Sequence, residues 1–480
     1  MTIFSGAWVM LSWHNLCAYD LLLVPFSFLL FPSRRLLWAF LLFIVAAAST
    51  MYRVVLPSEA GRYDGDAFVE VVDRHLVSHH GVPSWKVQLY VHQFSSHNEG
   101  DVLRGVTVPS YNNVLRGGAI YKVPLHLLWD ENFGCKVRLS DTNTAPIVKK
   151  TISLVESRVH VKRYLEGLFA RLFPDSEIRN VAGALSFGLF KDPVFQLMMH
   201  RAGVEHVLAI SGFHFGIVAA LTVFIARGMS YQLRSIFAMA VLTAYLAIIG
   251  PLPSVVRAWS AAMVVLLGVF LGKKTSGLNC LGVGLLTAVI YDPASIVGVG
   301  FQLSFLATFA ILLFSRETLE VIQRVVPAKD VTLLTQFSVS DQILTCVLSW
   351  LLPVFSLAIP VLLIITPYQL AFLQDFSLLS VLYNLFIPML FSFAMPAILL
   401  AVVLSPVGPL SSFFAWIAQV FLQLGISCIN NVPEVSWGLL DGGVICGPLG
   451  RLLIVTMLVV GLVREGAILA GRNDEWKACL

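Results

Sequence analysis

Apolar runs long enough to cross a bilayer recur along most of this chain, and they leave it few ways to fold. A membrane-spanning helix needs about 20 mainly apolar residues. Backbone inside lipid must satisfy its own hydrogen bonds, which restricts a chain with many such runs to packed helices or a closed barrel. Runs near 16–31, 36–52, 207–226, 235–249, 254–272, 278–291, 296–314, 342–365, 378–404, 410–428 and 452–470 predict about eleven helical spans. The run at 278–291 is short enough to be re-entrant instead. Of 480 residues, 57% are hydrophobic and 12% are charged, against roughly 25% charged in soluble domains. The first twenty residues lack the basic start and small-residue cleavage site of a secretory signal, so the early runs read as permanent spans.

Basic residues orient the spans, because Lys and Arg favour cytoplasmic loops. With Arg34 and Arg35 placed inside, Arg227, Arg234, Lys273, Lys274, the segment 316–329 and the tail with Arg464, Arg472 and Lys477 all fall on the cytoplasmic side. The opposite loops, 250–253, 292–295, 366–377 and 429–450, contain no Lys or Arg. The chain is thus expected to be a multi-pass protein with a cytoplasmic C-terminal tail at 471–480.

Between the N-terminal spans (1–52) and the later ones lies a polar region, 53–163, that reads as an extracytoplasmic domain. Trp85–Val91 (WKVQLYV) and Ala119–Leu125 (AIYKVPL) alternate as half-buried strands do, and turn signals at 98–100, 111–113 and 116–118 separate the strands. Several short strands in such a length predict a small barrel or sandwich. The region carries fourteen Lys and Arg against eleven Asp and Glu. Trp85, Tyr90, Phe94, Tyr111 and Tyr121 are candidates to stack on bases, and Lys86, Arg104, Arg116 and Lys122 to follow phosphates. The plain alternative is that the aromatics fill the core and the charges are a solvated surface. Residues 164–206 read as amphipathic linker helices, beginning with 164–173. The apolar stripe Val321, Ile322, Val325 and Val326 predicts a helix on the cytoplasmic membrane surface, or one that docks a cytosolic translocation partner.

The segment from Ala202 reads AGVEHVLAISGFHFGIVAAL. It resembles the H-L-L-A-I-S-G-x-H motif of ComEC-type competence proteins, on which His206, Ala209, Ser211, Gly212 and His214 fall. Pro253–Ala258 (PSVVRA) is similar to P-S-V-x-R-A. Asp292-Pro293 followed by 300–305 (GFQLSF), and Asn384-Leu385 followed by Ile387-Pro388, match the family's next motifs in order. The resemblance implies an α-helical polytopic protein of the bacterial cytoplasmic (inner) membrane with an inserted β-rich, OB-like domain and a channel domain at 207–470. It implies that the channel passes single-stranded DNA inward during natural transformation. Many relatives end in a metallo-β-lactamase-like nuclease domain. No H-x-H-x-D-H string occurs in this sequence, so a separate nuclease is expected. A separate ATP-driven motor is expected too, since GVFLGKKT (268–275) misses the phosphate-loop spacing. Lipid and DNA are the partners, and a homo-oligomer stays open.

On the predicted topology the motif residues His206, Ser211, His214, Arg257, Gln302, Ser304 and Asn384 converge on the outer half of the membrane. Polar side chains there face one another rather than lipid. Arg257 suits a bidentate phosphate contact, and the neutral donors suit a path that must also release its cargo. Each has a structural alternative: close helix packing for Ser211 and Gly212, headgroup snorkelling for Arg257, interhelical bonding for Gln302 and Asn384. No metal, cofactor or catalytic set is expected; the cysteine spacings fit no zinc site. The alternatives from other classes are a solute or lipid-precursor transporter, and an intramembrane hydrolase built on Ser211 and His214.

Overall fold

The computed structural model describes residues 61–431 and 439–441 with interruptions, the longest at 140–145, 293–298 and 327–338. The spans expected at 16–31, 36–52 and 452–470, and the tail, lie outside the described residues. Two compact units form: one from 61–193, 208–301 and 394–422, the other from 194–207, 302–393 and 423–441.

The first unit opens with an antiparallel seven-stranded sheet. Its strands are β1 (Gly61–His79), β2 (Val82–Ser96), β3 (Gly100–Leu103), β4 (Val106–Tyr111), β5 (Ala119–Asp130), β6 (Gly134–Leu139) and β7 (Pro146–Lys149). Their order is β3-β2-β1-β5-β6, with β4 also on β2 and β7 also on β5. Alternation drives it: Tyr63, Ala67, Val69, Val71, Val87, Leu89, Val91, Tyr121, Val123, Leu125 and Leu127 point into one core. Each fully buried Val or Leu there is worth about 1.5–3 kcal/mol. A β-rich domain at this place in the chain agrees with the sequence. Gly65 lets β1 cross close over β2, since a Cβ would lie 2.1 Å from the Ser95 carbonyl oxygen.

Helix α1 (Leu154–Leu172) follows directly. It begins well before Tyr164, where the amphipathic helix was expected. Its buried face includes Arg158 and Lys162 beside Val159, Leu165, Leu168 and Phe169. Helices α2 (Ser176–Phe187) and α3 (Pro193–Arg201) complete the linker. Asp175 caps α2 by accepting the Glu177 and Ile178 amides.

Then come α4 (Gly212–Ile225), α5 (Tyr231–Ile249), α6 (Pro253–Phe270) and α7 (Gly277–Tyr291) in the first unit. Beyond them run α8 (Val299–Val325), α9 (Val339–Phe372), α10 (Leu379–Val403) and α11 (Gly408–Asn430). Among the described residues, four helices are long and apolar enough to cross a membrane: α5, the 347–369 part of α9, the 386–403 part of α10, and α11. Three shorter apolar helices cover 212–228, 254–270 and 277–288. The protein is therefore mostly helical, with four such helices where about eleven spans were expected. The stripe at 321–326 is not a separate surface helix up to Val325: α8 continues through it, with Val321 and Val325 exposed. Short strands β8 (Asp375–Ser377) and β9 (Leu439–Asp441) pair with each other. The segments that follow α9 and α11 therefore meet.

Candidate functional site

The sheet is riveted to the membrane helices through α1. A bulge in β1 between Val71 and Asp73 shifts the strand's phase, and the next two residues, Asp73 and Arg74, are both buried. Arg74 pairs with Glu156 at 3.2 Å. Asp73 accepts from Arg158 at 2.9 Å and lies 4.0 Å from Lys162. The same two cations reach the C-terminal carbonyls of α5. Arg158 Nε donates to Ala247 at 3.0 Å and Lys162 Nζ to Ile249 at 3.0 Å. Those carbonyls have no intrahelical donor, and cations at a helix C-terminus are favoured. Gly250 ends α5 at φ 112°, and a Cβ there would meet Arg158 Nη1 at 3.0 Å. The sheet is thereby fixed at the end of α5 opposite the turn that carries Arg227 and Arg234.

Three residues past Gly250, α6 begins with Pro253 at a position that suits its fixed φ. Ser254 Oγ donates to the Ile210 carbonyl at 2.9 Å, which pins the start of α6 to the segment entering α4. Ser211 caps α4 in an extended conformation (φ −136°, ψ −176°). Its backbone N–H donates to His214 Nδ1 at 3.2 Å, and its hydroxyl lies 3.3 Å from the same nitrogen. One turn into α6, Arg257 is buried, and its Nη2 would lie 3.8 Å from a Cβ on Gly212. Gly284 of α7 makes room for the arginine stem, since a Cβ there would lie 3.3 Å from Arg257 Cγ. Three of the expected site residues, Ser211, His214 and Arg257, are thus brought together at the α5–α6 end that also carries the sheet.

The other expected residues lie in the second unit. His206 sits in a 3-10 turn, Glu205–Val207, and is exposed. It was expected in the first turns of a span, but Gly203 at φ 68° breaks the chain and α4 starts only after Ser211. Asn384, in the second turn of α10, donates to the Gly203 carbonyl at 3.3 Å. Gln302, buried in α8, accepts from the Tyr368 hydroxyl of α9. Ser304 is half-buried, and its carbonyl accepts from Thr308. Gln302 and Asn384 therefore make the interhelical and loop-tethering bonds that were their structural alternative. Sequence reading missed Tyr368 and Gly284, which carry no local signal, and Ser254, whose place inside PSVVRA was one.

In the sheet, Phe94 and Tyr121 are core residues and so do not offer faces for stacking; they sit on the inward phase of β2 and β5. Tyr90 is half-buried, edge-on to His92 at 5.0 Å. Lys122 is tied to Asp66 at 2.9 Å. Arg104 is half-buried and Arg116 exposed. Trp85 and Lys86 lie on β2 opposite Leu76 and His75, with side chains outside the described set.

Ser211 and His214 are near enough to suggest a nucleophile and base. Such a pair needs a third group to orient the imidazole, and His214 Nε2 has no hydrogen-bond partner among the described residues. No cluster of metal-ligating side chains occurs among them either.

ComE operon protein 3 of Bacillus subtilis is 29% identical over 170 residues, which cover 35% of this chain and 21% of that protein. The chain thus spans about a fifth of the curated relative that it matches. No solved structure matches. The family model described as "Competence protein" matches residues 192–466, which hold every motif and all seven of the residues expected along the channel. On that match the chain belongs to the competence protein family, of ComEC type.

Proposed function

We propose that the chain forms the path by which single-stranded DNA crosses the bacterial cytoplasmic membrane during natural transformation, with the sheet domain outside and the Arg227–Arg234 turn inside. The observation that carries the reading is the placing of Ser211, His214 and Arg257. They form a polar group, with His214 and Arg257 buried, at one end of α4 and α6, the end to which the sheet is bolted by Asp73, Arg158 and Lys162. Ionisable groups buried among apolar helices are costly, and a functional site is the default reading of one. The family supports competence as the setting. A polyanion that loses its water on entry needs hydrogen-bond donors and few fixed charges, so that it is held weakly at several points and released. The motor and the nuclease belong to other proteins in this reading.

The test is reconstitution. The purified chain in liposomes is mixed with labelled oligothymidylate outside, and external nuclease is then added. Label protected inside vesicles, absent for duplex DNA and for empty liposomes, is the expected result. Protection no greater than in empty liposomes would sink the reading.

A further inference from the structure

We propose that the end of α4–α7 remote from the sheet binds an anionic phospholipid by its headgroup phosphate. The proposal needs these helices to stand in a bilayer and does not need DNA to pass along them. Short turns fix which residues meet there. Residues 226–230 join α4 to α5 and 271–276 join α6 to α7. Neighbouring helices pack on one another, and their alternating direction brings both turns to one end. Arg227 lies in the first turn, Arg234 in the opening turn of α5 and Lys273 in the second turn. The turn at the sheet end, 250–252, carries no cation.

No neighbour in this part of the chain neutralises these three charges. Residues 206–291 contain no Asp or Glu. Among the described residues, Arg227, Arg234 and Lys273 have no ion pair. Arg227 and Lys273 follow helix C-termini, where a cation is favoured, but Arg234 stands at a helix start, where the dipole opposes it. Solvation alone would account for exposed charge. It does not account for what surrounds that charge: Phe224, Ile225, Tyr231, Leu233 and Leu271 are each more than half exposed among the described residues. The Arg227 guanidinium lies over the Phe224 ring, 5.1 Å from its centroid, so the charge is held at the rim of this apolar surface. A DNA strand would supply phosphates but nothing to cover Ile225, Leu233 and Leu271. A phospholipid supplies both a phosphate and a hydrocarbon chain. The lipid must carry net negative charge, because a zwitterionic headgroup brings its own cation to the phosphate.

The full chain in nanodiscs of phosphatidylcholine with a minor share of phosphatidylglycerol tests this, with native mass spectrometry counting the lipids that stay bound. Wild type is expected to retain phosphatidylglycerol in preference to phosphatidylcholine. Replacing Arg227→Gln and Arg234→Gln together should lower that preference about fivefold for each charge removed. Arg227→Lys with Arg234→Lys should keep it, which shows that the loss is one of charge and not of folding. Arg316→Gln, at a cation already paired with Glu320, should keep it too. Equal retention of the two lipids by wild type overturns the site, and so does a wild-type preference in the double Gln variant. A double Gln variant that loses oligothymidylate in pure phosphatidylcholine nanodiscs, with its lipid preference intact, assigns these cations to the strand and overturns the lipid site. The liposome protection assay decides the channel reading separately from all of these.

Discussion

Asp73→Asn isolates the joint between sheet and membrane helices. Asp73, Arg158 and Lys162 are 7%, 8% and 8% exposed, so one carboxylate stands against two desolvated cations. Removing its charge while keeping its shape leaves both cations buried beside a neutral amide. Breaking a buried pair in this way costs about 3–5 kcal/mol. The α5 carbonyls, which accept from Arg158 and Lys162 at 3.0 Å each, offset only part of that cost. Hydrogen exchange on the full chain in nanodiscs reads the opening free energy locally. The amides of α1 around Arg158–Lys162 should lose protection by about two to three orders of magnitude, at about 1.4 kcal/mol per tenfold. Core amides of β2 and β5 should change little.

The same variant has a pH signature. Burial holds the Lys162 ammonium below its ordinary 10.5, while Asp73 pulls it up and Arg158 adds to the depression. The unfolded chain therefore binds that proton more tightly than the folded one. Protonated Lys162 costs stability at neutral pH, and the cost is relieved as pH rises from its folded pKa towards 10.5. Without Asp73 the folded pKa falls further, so relief begins earlier and the gap to wild type narrows as pH is raised. Loss of protection by less than tenfold, or a gap that is flat with pH, would refute the claim that this cluster is a desolvated ionic joint.

Gly65→Ala should unfold the sheet, because its Cβ would meet the Ser95 carbonyl at 2.1 Å; loss of the near-ultraviolet signal of the sheet aromatics measures it. Tyr368→Phe removes the hydroxyl that donates to the buried Gln302 and should cost about 1–3 kcal/mol, read as faster exchange at α8 and α9 with α5 unaffected. Gly425→Ala sets a Cβ 2.5 Å from the Phe391 ring, and overpacking there should cost about 1–3 kcal/mol, seen as a lower midpoint of thermal unfolding in detergent.

The helical framework and the strands were legible because both rest on local period. Trp85–Val91 and Ala119–Leu125 alternate, and β2 and β5 formed over them. The start of α1 was not legible. Arg158 and Lys162 pair with a carboxylate on β1, 85 residues away from Arg158, which no local pattern announces. The same distance effect hid the role of Gln302, whose partner Tyr368 is 66 residues on. His206 was misplaced because an apolar run shows where lipid is tolerated, not where a positive-φ glycine and an N-cap start the helix. Ser211, His214 and Arg257 were legible as a group because α5 returns the chain between α4 and α6, so that α4 and α6 start at the same end.

The central claim is that DNA crosses the membrane along this chain, and its most direct measurement is the fate of labelled DNA in transforming cells. Cells lacking the gene are compared with cells carrying wild type, Arg257→Ala or Asn384→Ala at equal membrane abundance. The account predicts that without the gene label stalls outside the cytoplasmic membrane, and that Arg257→Ala stalls it likewise. Label reaching the cytoplasm at the wild-type rate in cells that lack the gene would contradict it.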